Sequence, residues 1–177
     1  MRKFNKIFGI GLSRTGTHSL TAALRHLGLS VIHFPRDLAE VEANDAATDS
    51  RVADKFELLD LGFPNSLFIH TVREVTDWLN SCERFWKSYE QFASSPDLRT
   101  LHDRLYGAAD FDRATYITGY WKYMERVALH FAKRPTEILH INICAGEGWP
   151  QLAAFLEIPI PAEPFPHDHA PGGVTVR

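Results

Sequence analysis

The stretch KIFGIGLSRTGTHSLTAALRHLG, residues 6–28, decides the fold of this chain. Its apolar start predicts a short buried strand over residues 6–12. Apolar residues from Leu20 to Leu27 then recur at helical spacing, and Gly28 stands where a helix C-cap glycine is expected. A strand, a glycine-containing loop and a helix in this order predict the opening unit of a parallel α/β sheet.

The rest of the chain continues the alternation of strands and helices. Further strands are predicted over residues 29–34, 66–72 and 137–143. Further helices are predicted from near Val52 to Gly62, after an N-cap at Thr76, after an N-cap at Asp112, and from Pro150 to Leu156. The polar segments 36–50 and 92–111 are expected to be mostly loop, the first with some helix.

Composition limits the class of protein. A chain of 177 residues with 45% hydrophobic and 23% charged residues fits one domain over 1–177, with an extended or loose tail over 162–177. The net charge of −3 disfavours a nucleic-acid binder, and the 2 cysteines disfavour a disulfide framework or a cysteine-based zinc site. No apolar run reaches the roughly 18 residues of a membrane helix, so a cytoplasmic protein without a membrane span is expected.

The segment GLSRTGTHS, residues 11–19, joins the first strand to the first helix. In α/β proteins this position binds phosphate, because backbone N–H groups and the helix dipole converge there. The frame of Gly11, four residues and Gly16 resembles a Walker A loop. A nucleoside triphosphatase needs a lysine after the second glycine, and this chain has Thr17 there. The loop therefore favours a different anionic ligand, although a glycine turn without a ligand is the simpler alternative.

The side chains of this loop suit an anion. Arg14 supplies a positive charge, and hydroxyl groups follow at the start of the helix. The residues expected to bind the ligand here are Ser13, Arg14, Thr15, Gly16, Thr17, His18 and Ser19.

The same segment resembles a known family. The sequence SRTGT at 13–17 is similar to the Pro-Lys-Ser/Thr-Gly-Thr loop with which sulfotransferases hold the 5′-phosphosulfate of 3′-phosphoadenosine-5′-phosphosulfate (PAPS). The fuller string from 11 to 28 resembles a sulfotransferase-like branch that opens with Gly-x-x-Arg-Thr-Gly-Thr-x-Ser-Leu. DAATD at 45–49, the long helix after Asp112, GEGWPQLAAFL at 146–156 and PFPH at 164–167 resemble further segments of that branch. The resemblance implies a P-loop NTPase-like three-layer sandwich with a central, mostly parallel sheet of four or five strands, and PAPS as the donor without a required metal.

A second motif belongs to the same resemblance. Sulfotransferases hold the 3′-phosphate of PAPS with an arginine at the end of a strand and a serine eight residues later. In FIHTVREVTDWLNS, residues 68–81, these positions hold Arg73 and Ser81. A guanidinium offers a fork of donors to phosphate oxygens, and a hydroxyl on the next helix can complete the contact. The alternative is that Arg73 pairs with Glu74 or Asp77.

The catalytic base is the least defined part of the site. Cytosolic sulfotransferases place a histidine in Thr-His-Leu-Pro, and Asp49 stands at the similar place in this chain, after Thr48. A carboxylate can act as the base if the site raises its pKa. His33 and Glu42, near the second strand, are rival candidates, and Asp49 is alternatively a helix N-cap. Arg14 and Asp49 are thus the expected catalytic residues.

The expected function is transfer of a sulfuryl group from PAPS to a hydroxyl or amine of a small-molecule or glycan acceptor. One alternative is a non-catalytic P-loop module that binds PAPS or a similar nucleotide. Another is an atypical phosphate-binding enzyme related to kinases, and a third is an interaction domain with a relic loop. The segment His167-Asp168-His169 suggests a metal site only weakly.

Overall fold

A computed structural model describes residues 4–88 and 95–167 of the chain. Five strands form one sheet in the order β2-β3-β1-β4-β5, and every neighbouring pair is parallel. The strands are β1 (Ile7–Gly9), β2 (Val31–His33), β3 (Ala46–Thr48), β4 (Leu67–Thr71) and β5 (Ile138–Ile141). The predicted α/β class is confirmed, and the sheet with its flanking helices is consistent with a P-loop NTPase-like sandwich.

Helices cover both faces of the sheet. The described residues form α1 (Thr17–His26), α2 (Leu38–Glu42), α3 (Ser50–Asp54), α4 (Phe56–Gly62), α5 (Val75–Ser88), α6 (Pro96–Tyr106), α7 (Arg113–Phe131) and α8 (Trp149–Leu156). None of these helices, within the described ranges, is long and apolar enough to cross a membrane.

Alternation along the strands divides the core into two layers, because successive side chains of a strand point to opposite faces. Phe8 and Phe68 belong to one apolar cluster, which includes residues of α3, α4, α5, α6 and α7. Ile7 and Ile69 belong to the other cluster, which includes residues of α1 and α8. The first strand, β1, therefore lies in the middle of the sheet and is buried on both faces.

Two predicted loops contain regular structure. Residues 46–48 form β3, which pairs with both β1 and β2, although the segment 36–50 was expected to be loop with some helix. Its Ala-Ala-Thr sequence lacks the β-branched run that predicts a strand, and small side chains suit its buried position. Residues 96–106 form α6 within the predicted surface loop 92–111, and residues 92–94 of that prediction lie outside the described residues.

Of the helix starts predicted at Thr76, Asp112 and Pro150, the last two agree with the structure. Asp112 caps α7 by accepting a hydrogen bond from the backbone N–H of Thr115 at 2.8 Å, and Pro150 lies in the first turn of α8, as predicted. The predicted N-cap at Thr76 is wrong. Helix α5 begins at Val75, and the Glu74 carboxylate accepts from the backbone N–H of Asp77 at 3.0 Å.

Candidate functional site

The candidate site lies at the carboxyl edge of the sheet, where the chain leaves β1 and β4. Helix α1 follows β1 and packs on one face, whereas α5 follows the neighbouring strand β4 and packs on the other. Loops that diverge in this way from adjacent parallel strands open a crevice, and ligands of α/β proteins bind in such crevices. The 11–19 segment and Arg73 both lie at this point of the sheet.

The loop between β1 and α1 is fixed to the end of β4. The Thr15 hydroxyl donates to the carbonyl of Leu12 at 2.7 Å, and it also lies 2.6 Å from the Thr71 hydroxyl. A Cβ at Gly11 would lie 1.7 Å from the Thr71 hydroxyl oxygen, so only glycine fits there. Gly16 precedes α1 with a φ of 101°, a left-handed conformation that favours glycine. Because Thr15 is buried and its hydroxyl is used inside the loop, its expected side-chain contact with a ligand is not supported by this geometry.

Arg14, Arg73 and Ser81 are joined by hydrogen bonds. Arg73 Nη1 donates to the carbonyl oxygen of Arg14 at 3.1 Å, and Arg14 Nε donates to Ser81 Oγ at 3.1 Å. The Arg14 guanidinium also lies over the ring of Phe85, 4.8 Å from its centroid. The structure therefore brings the two predicted phosphate motifs together, although 67 residues separate Arg14 from Ser81 along the chain.

The electrostatics of this cluster favour an anion. Burial lowers the pKa of Arg14, the thiols of Cys82 and Cys144 raise it, and the nearby charges of Arg73 and Arg84 lower it further. The Nε atom of Arg73 is buried and has no hydrogen-bond partner among the described residues. The alternative pairing of Arg73 with Glu74 or Asp77 is not seen in the described part of the chain. A buried guanidinium donor without a partner is costly unless a ligand completes its contacts.

Three aromatic residues support the cluster, and the sequence analysis assigned none of them this role. Trp78 Nε1 donates to the carbonyl of Ser13 at 2.9 Å, and the Tyr120 hydroxyl donates to the carbonyl of Arg73 at 2.7 Å. The Tyr123 hydroxyl donates to the carbonyl of Ile10 at 2.6 Å. Helical spacing shows which face of a helix carries an aromatic ring, but it does not show where the polar end of that ring points.

Asp49 lies beside the start of α1 and is paired with His33. Asp49 Oδ2 lies 3.0 Å from His33 Nε2, with side-chain exposures of 13% and 17% respectively. The other oxygen, Oδ1, accepts a long hydrogen bond of 3.3 Å from the hydroxyl of Thr17. The ring of His18 lies 4.0 Å from that of His33, and Ser19 is buried in the first turns of α1. Asp49 therefore contacts the loop expected to bind the donor, through Thr17.

The pKa of Asp49 is lowered. Burial raises this pKa, but the hydrogen bond and the charge of His33, the backbone of Ser50 and the charge of His18 together lower it by more. The net shift is downward, so the condition that the site raises the pKa of the base is not met at Asp49. Hydrogen bonds and opposite charge together outweigh desolvation at this position.

The surroundings of His33, Asp49 and Glu42 distinguish these three candidates for the catalytic base. His33 Nε2 faces Asp49, and His33 Nδ1 lies 3.1 Å from the Thr21 hydroxyl and 3.0 Å from the Thr48 hydroxyl. Both ring nitrogens are thus engaged within the protein, whereas the side-chain hydrogen bond of Asp49 Oδ1 is the long one from Thr17. Glu42 lies at the other edge of the sheet, since its carbonyl accepts from the side chain of Lys6 at 3.0 Å and Lys6 precedes β1.

Asp49 also has a strained backbone. Its φ of 88° and ψ of −176° belong to a region that is essentially restricted to glycine. Its side chain does not cap α3, although it occupies the N-cap position, so the capping alternative is not supported. Strain of this kind concentrates at functional sites.

The strained backbone at Asp49 leads to a prediction about the free energy of unfolding. Asp49→Gly and Asp49→Ala remove the same carboxylate, so their difference isolates the backbone conformation. We expect the glycine variant to be more stable than the alanine variant by about 1–3 kcal/mol. Urea unfolding of both variants measures this difference, and equal stabilities would show that the backbone at Asp49 is not strained.

Metal ligation has no support in the described residues. Residues 4–88 and 95–167 contain no group of three histidine, cysteine, aspartate or glutamate side chains that is placed to hold a metal ion. Two members of the weak candidate at the tail, Asp168 and His169, lie outside the described residues.

The all-parallel sheet, with a glycine loop between β1 and α1, is consistent with the P-loop class of α/β proteins. The sequence model of the sulfotransferase domain family matches residues 6–44 and 36–174. The chain therefore belongs to the sulfotransferase domain family. It is also 24% identical over 216 residues to the Ava biosynthesis cluster protein M of Aspergillus versicolor, covering 92% of this chain and 80% of that protein.

Proposed function

We propose that this protein transfers a sulfuryl group from PAPS to a hydroxyl or amine of a small-molecule or glycan acceptor. The observation that carries the proposal is the hydrogen-bonded cluster of Arg14, Arg73 and Ser81 at the sheet edge that also holds Asp49. Membership of the sulfotransferase domain family gives this cluster its chemical context.

The residues present fit the two anionic groups of the donor. The partnerless Nε of Arg73 suits a 3′-phosphate oxygen. Ser81 Oγ accepts from Arg14 and keeps its own O–H to donate to the same phosphate. The terminal nitrogens of Arg14 have no hydrogen-bond partner among the described residues, so they remain for the 5′-phosphosulfate, together with the backbone N–H groups of Gly16 and Thr17.

Asp49 and the 11–19 loop have different roles in the proposed reaction. Asp49 Oδ1 takes the proton of the acceptor as the acceptor oxygen bonds to sulfur and the bond from sulfur to the phosphate oxygen breaks. Arg14 and the loop amides stabilise the charge that develops on the leaving phosphate oxygen. His33 is a positioning residue, because its Nε2 holds the other carboxylate oxygen. A divalent metal is not required in this scheme, since a sulfuryl group carries less charge than a phosphoryl group.

A cavity at the carboxyl ends of β2 and β3 offers room for the acceptor. Its volume is about 330 Å³, within the range of small-ligand sites. Arg51 and Val52, just after Asp49, line one side, and Leu101 of α6 lines another. We propose that the acceptor lies there, because the cavity begins two residues after the proposed base.

Thermal shift measurements test the choice of donor. We expect adenosine 3′,5′-bisphosphate, the desulfated product, to raise the melting temperature without added metal. Stabilisation by ATP with Mg²⁺, and none by the bisphosphate, would instead support the kinase-like alternative.

Arg73→Ala tests whether Arg73 binds the 3′-phosphate of PAPS. A lost charge-assisted contact of about 1.5–3 kcal/mol corresponds to roughly 10- to 150-fold weaker binding of PAPS. Adenosine 5′-phosphosulfate lacks the 3′-phosphate and should lose little affinity. Calorimetry with both ligands measures the difference, and Arg99→Ala, which removes a surface arginine paired with Asp110, is the control. Equal weakening of both ligands by Arg73→Ala would show that Arg73 does not bind the 3′-phosphate.

The lowered pKa of Asp49 favours one alternative, a non-catalytic module that only binds the nucleotide. A screen of hydroxylated small molecules and glycans with labelled PAPS separates the two functions. Binding of the bisphosphate without transfer to any acceptor in a broad screen would support the module.

A further inference from the structure

The cavity proposed for the acceptor combines an apolar wall with charged side chains. The wall is formed by buried residues of the apolar cluster that contains Phe8, namely Val41, Val52, Leu59 and Leu101. The charged residues that line the cavity are Arg36, Asp37, Arg51, Asp54, Lys55, Asp97 and Arg104. We therefore expect a ligand with an apolar body, and the charged residues determine which polar group it carries.

Four of these charged residues already have partners within the protein. Arg104 pairs with Asp54 at 2.6 Å. Arg36 Nε donates to the carboxylate of Glu40 at 2.6 Å. The Asp37 carboxylate accepts from the backbone N–H of Glu40 at 3.0 Å and so caps α2. The polar group of a ligand is therefore expected to contact one of the remaining three.

Arg51 is the best fixed of the remaining three. Within residues 4–88 and 95–167, no ion pair joins Arg51, Lys55 or Asp97 to another residue. Lys55 and Asp97 are exposed side chains. The Arg51 guanidinium lies over the ring of Phe34, 4.3 Å from its centroid, and its Nη1 donates to the carbonyl of Pro35 at 3.3 Å. A cation held in place by such contacts loses less side-chain entropy when it binds a ligand.

Arg51 keeps donors for an anion beside the proposed base. Its Nε and Nη2 atoms make no hydrogen bond in the described part of the chain, and these two N–H groups form a fork that fits a carboxylate. Glu40 is near, but hydrogen bonds from Arg36 lower the pKa of Glu40 more than the charge of Arg51 does. Arg51 lies in the first turn of α3, two residues after Asp49. An anionic group bound to Arg51 therefore lies on the acceptor side of the site.

We propose that the acceptor is a hydroxylated carboxylic acid with an apolar body, and that Arg51 binds its carboxylate. This inference rests on the proposed function and names the substrate class of the same site. The apolar body packs against the wall that includes Val52 and Leu101, and the carboxylate on Arg51 orients the hydroxyl group toward Asp49. Arg51 is thus a specificity-determining residue, separate from the residues that bind the donor.

The test compares acids with amides of the same shape. The probes are para-hydroxyphenylacetic acid and ω-hydroxydecanoic acid, each beside its primary amide. Calorimetry at neutral pH, with adenosine 3′,5′-bisphosphate bound in the donor site, gives dissociation constants without any transfer. We expect the wild-type protein to bind at least one acid about tenfold more tightly than its amide, because a charge-assisted contact is made.

Variants of Arg51 assign this preference to one side chain. Arg51→Gln should reduce the preference to less than about twofold, because the charge is lost. Arg51→Lys should keep part of it, because the charge remains but the fork of donors is lost. Lys133→Gln is the control, since it removes an exposed cation that does not line the cavity, and it should keep the wild-type preference. Melting temperatures show whether each variant is folded, and Arg51→Lys gives the comparison if Arg51→Gln is not.

The outcomes separate this inference from the proposed function. If the protein binds the bisphosphate but binds neither acid, or binds each amide as tightly as its acid, the acceptor class is wrong and the proposed function stands. If Arg51→Gln keeps the wild-type preference, or Lys133→Gln loses as much of it, Arg51 does not bind the carboxylate. If the wild-type protein does not bind the bisphosphate, the proposed function fails, and this inference fails with it.

Discussion

Asp49→Asn is expected to lower turnover about 10³-fold, within the range that general base catalysis contributes. Asparagine keeps the shape of the side chain and can still accept a hydrogen bond from His33, but it cannot take a proton. Asparagine also resembles aspartate in size and backbone preference, so the strain at this position should be nearly unchanged. Turnover with labelled PAPS, after an acceptor has been found, measures the effect. Affinity for adenosine 3′,5′-bisphosphate and the melting temperature should change little.

His33→Gln tests the proposed role of His33 in positioning the carboxylate of Asp49. We expect a smaller loss, about tenfold, together with a change in the pH profile. In the wild-type protein the pKa of Asp49 is lowered, so the loss of rate from protonating Asp49 should occur below the ordinary aspartate pKa of about 3.9. Without His33, burial dominates and raises this pKa, so the acid limb should move to higher pH. Full activity of Asp49→Asn with an inactive His33→Gln would identify His33 as the base.

Arg14→Ala is expected to lower kcat by about 10²-fold, comparable with the loss of one preorganised oxyanion donor. The terminal nitrogens of Arg14 are available at the loop, and their charge gains most as the leaving oxygen becomes negative. Affinity for adenosine 3′,5′-bisphosphate should fall much less than kcat, as measured by calorimetry beside steady-state kinetics.

Arg14→Lys controls for the shape of the loop. Arg14 has a φ of 72°, and lysine and alanine are both non-glycine residues that share its backbone strain. The lysine variant should keep part of kcat, because it keeps the charge near the leaving group. If Arg14→Ala weakens the bisphosphate as much as it lowers kcat/KM and leaves kcat unchanged, Arg14 binds the donor without acting on the transition state.

The sequence alone determined the elements whose patterns are local. The strand, glycine loop and helix over 6–28 follow from apolar spacing and from the position of the glycines, and the structure has β1 and α1 there. The cap at Asp112 and the proline at 150 were equally local, and both are seen. The resemblance to sulfotransferases implied that Arg73 and Ser81 hold one phosphate, which stays a prediction, and the structure joins the two residues through Arg14.

Only the tertiary structure decided the features that depend on distant neighbours. Residues 46–48 form a strand because β1 and β2 lie on either side and bury small side chains, not because alanine favours strands. The pairing of Asp49 with His33 requires β2 and β3 to be adjacent in parallel register, and this pairing contributes to the lowered pKa of Asp49. Glu42, close to Asp49 in sequence, lies at the opposite sheet edge because β3 runs between them. Burial and the order of strands set these contacts, and neither is encoded in the spacing of residues along one segment.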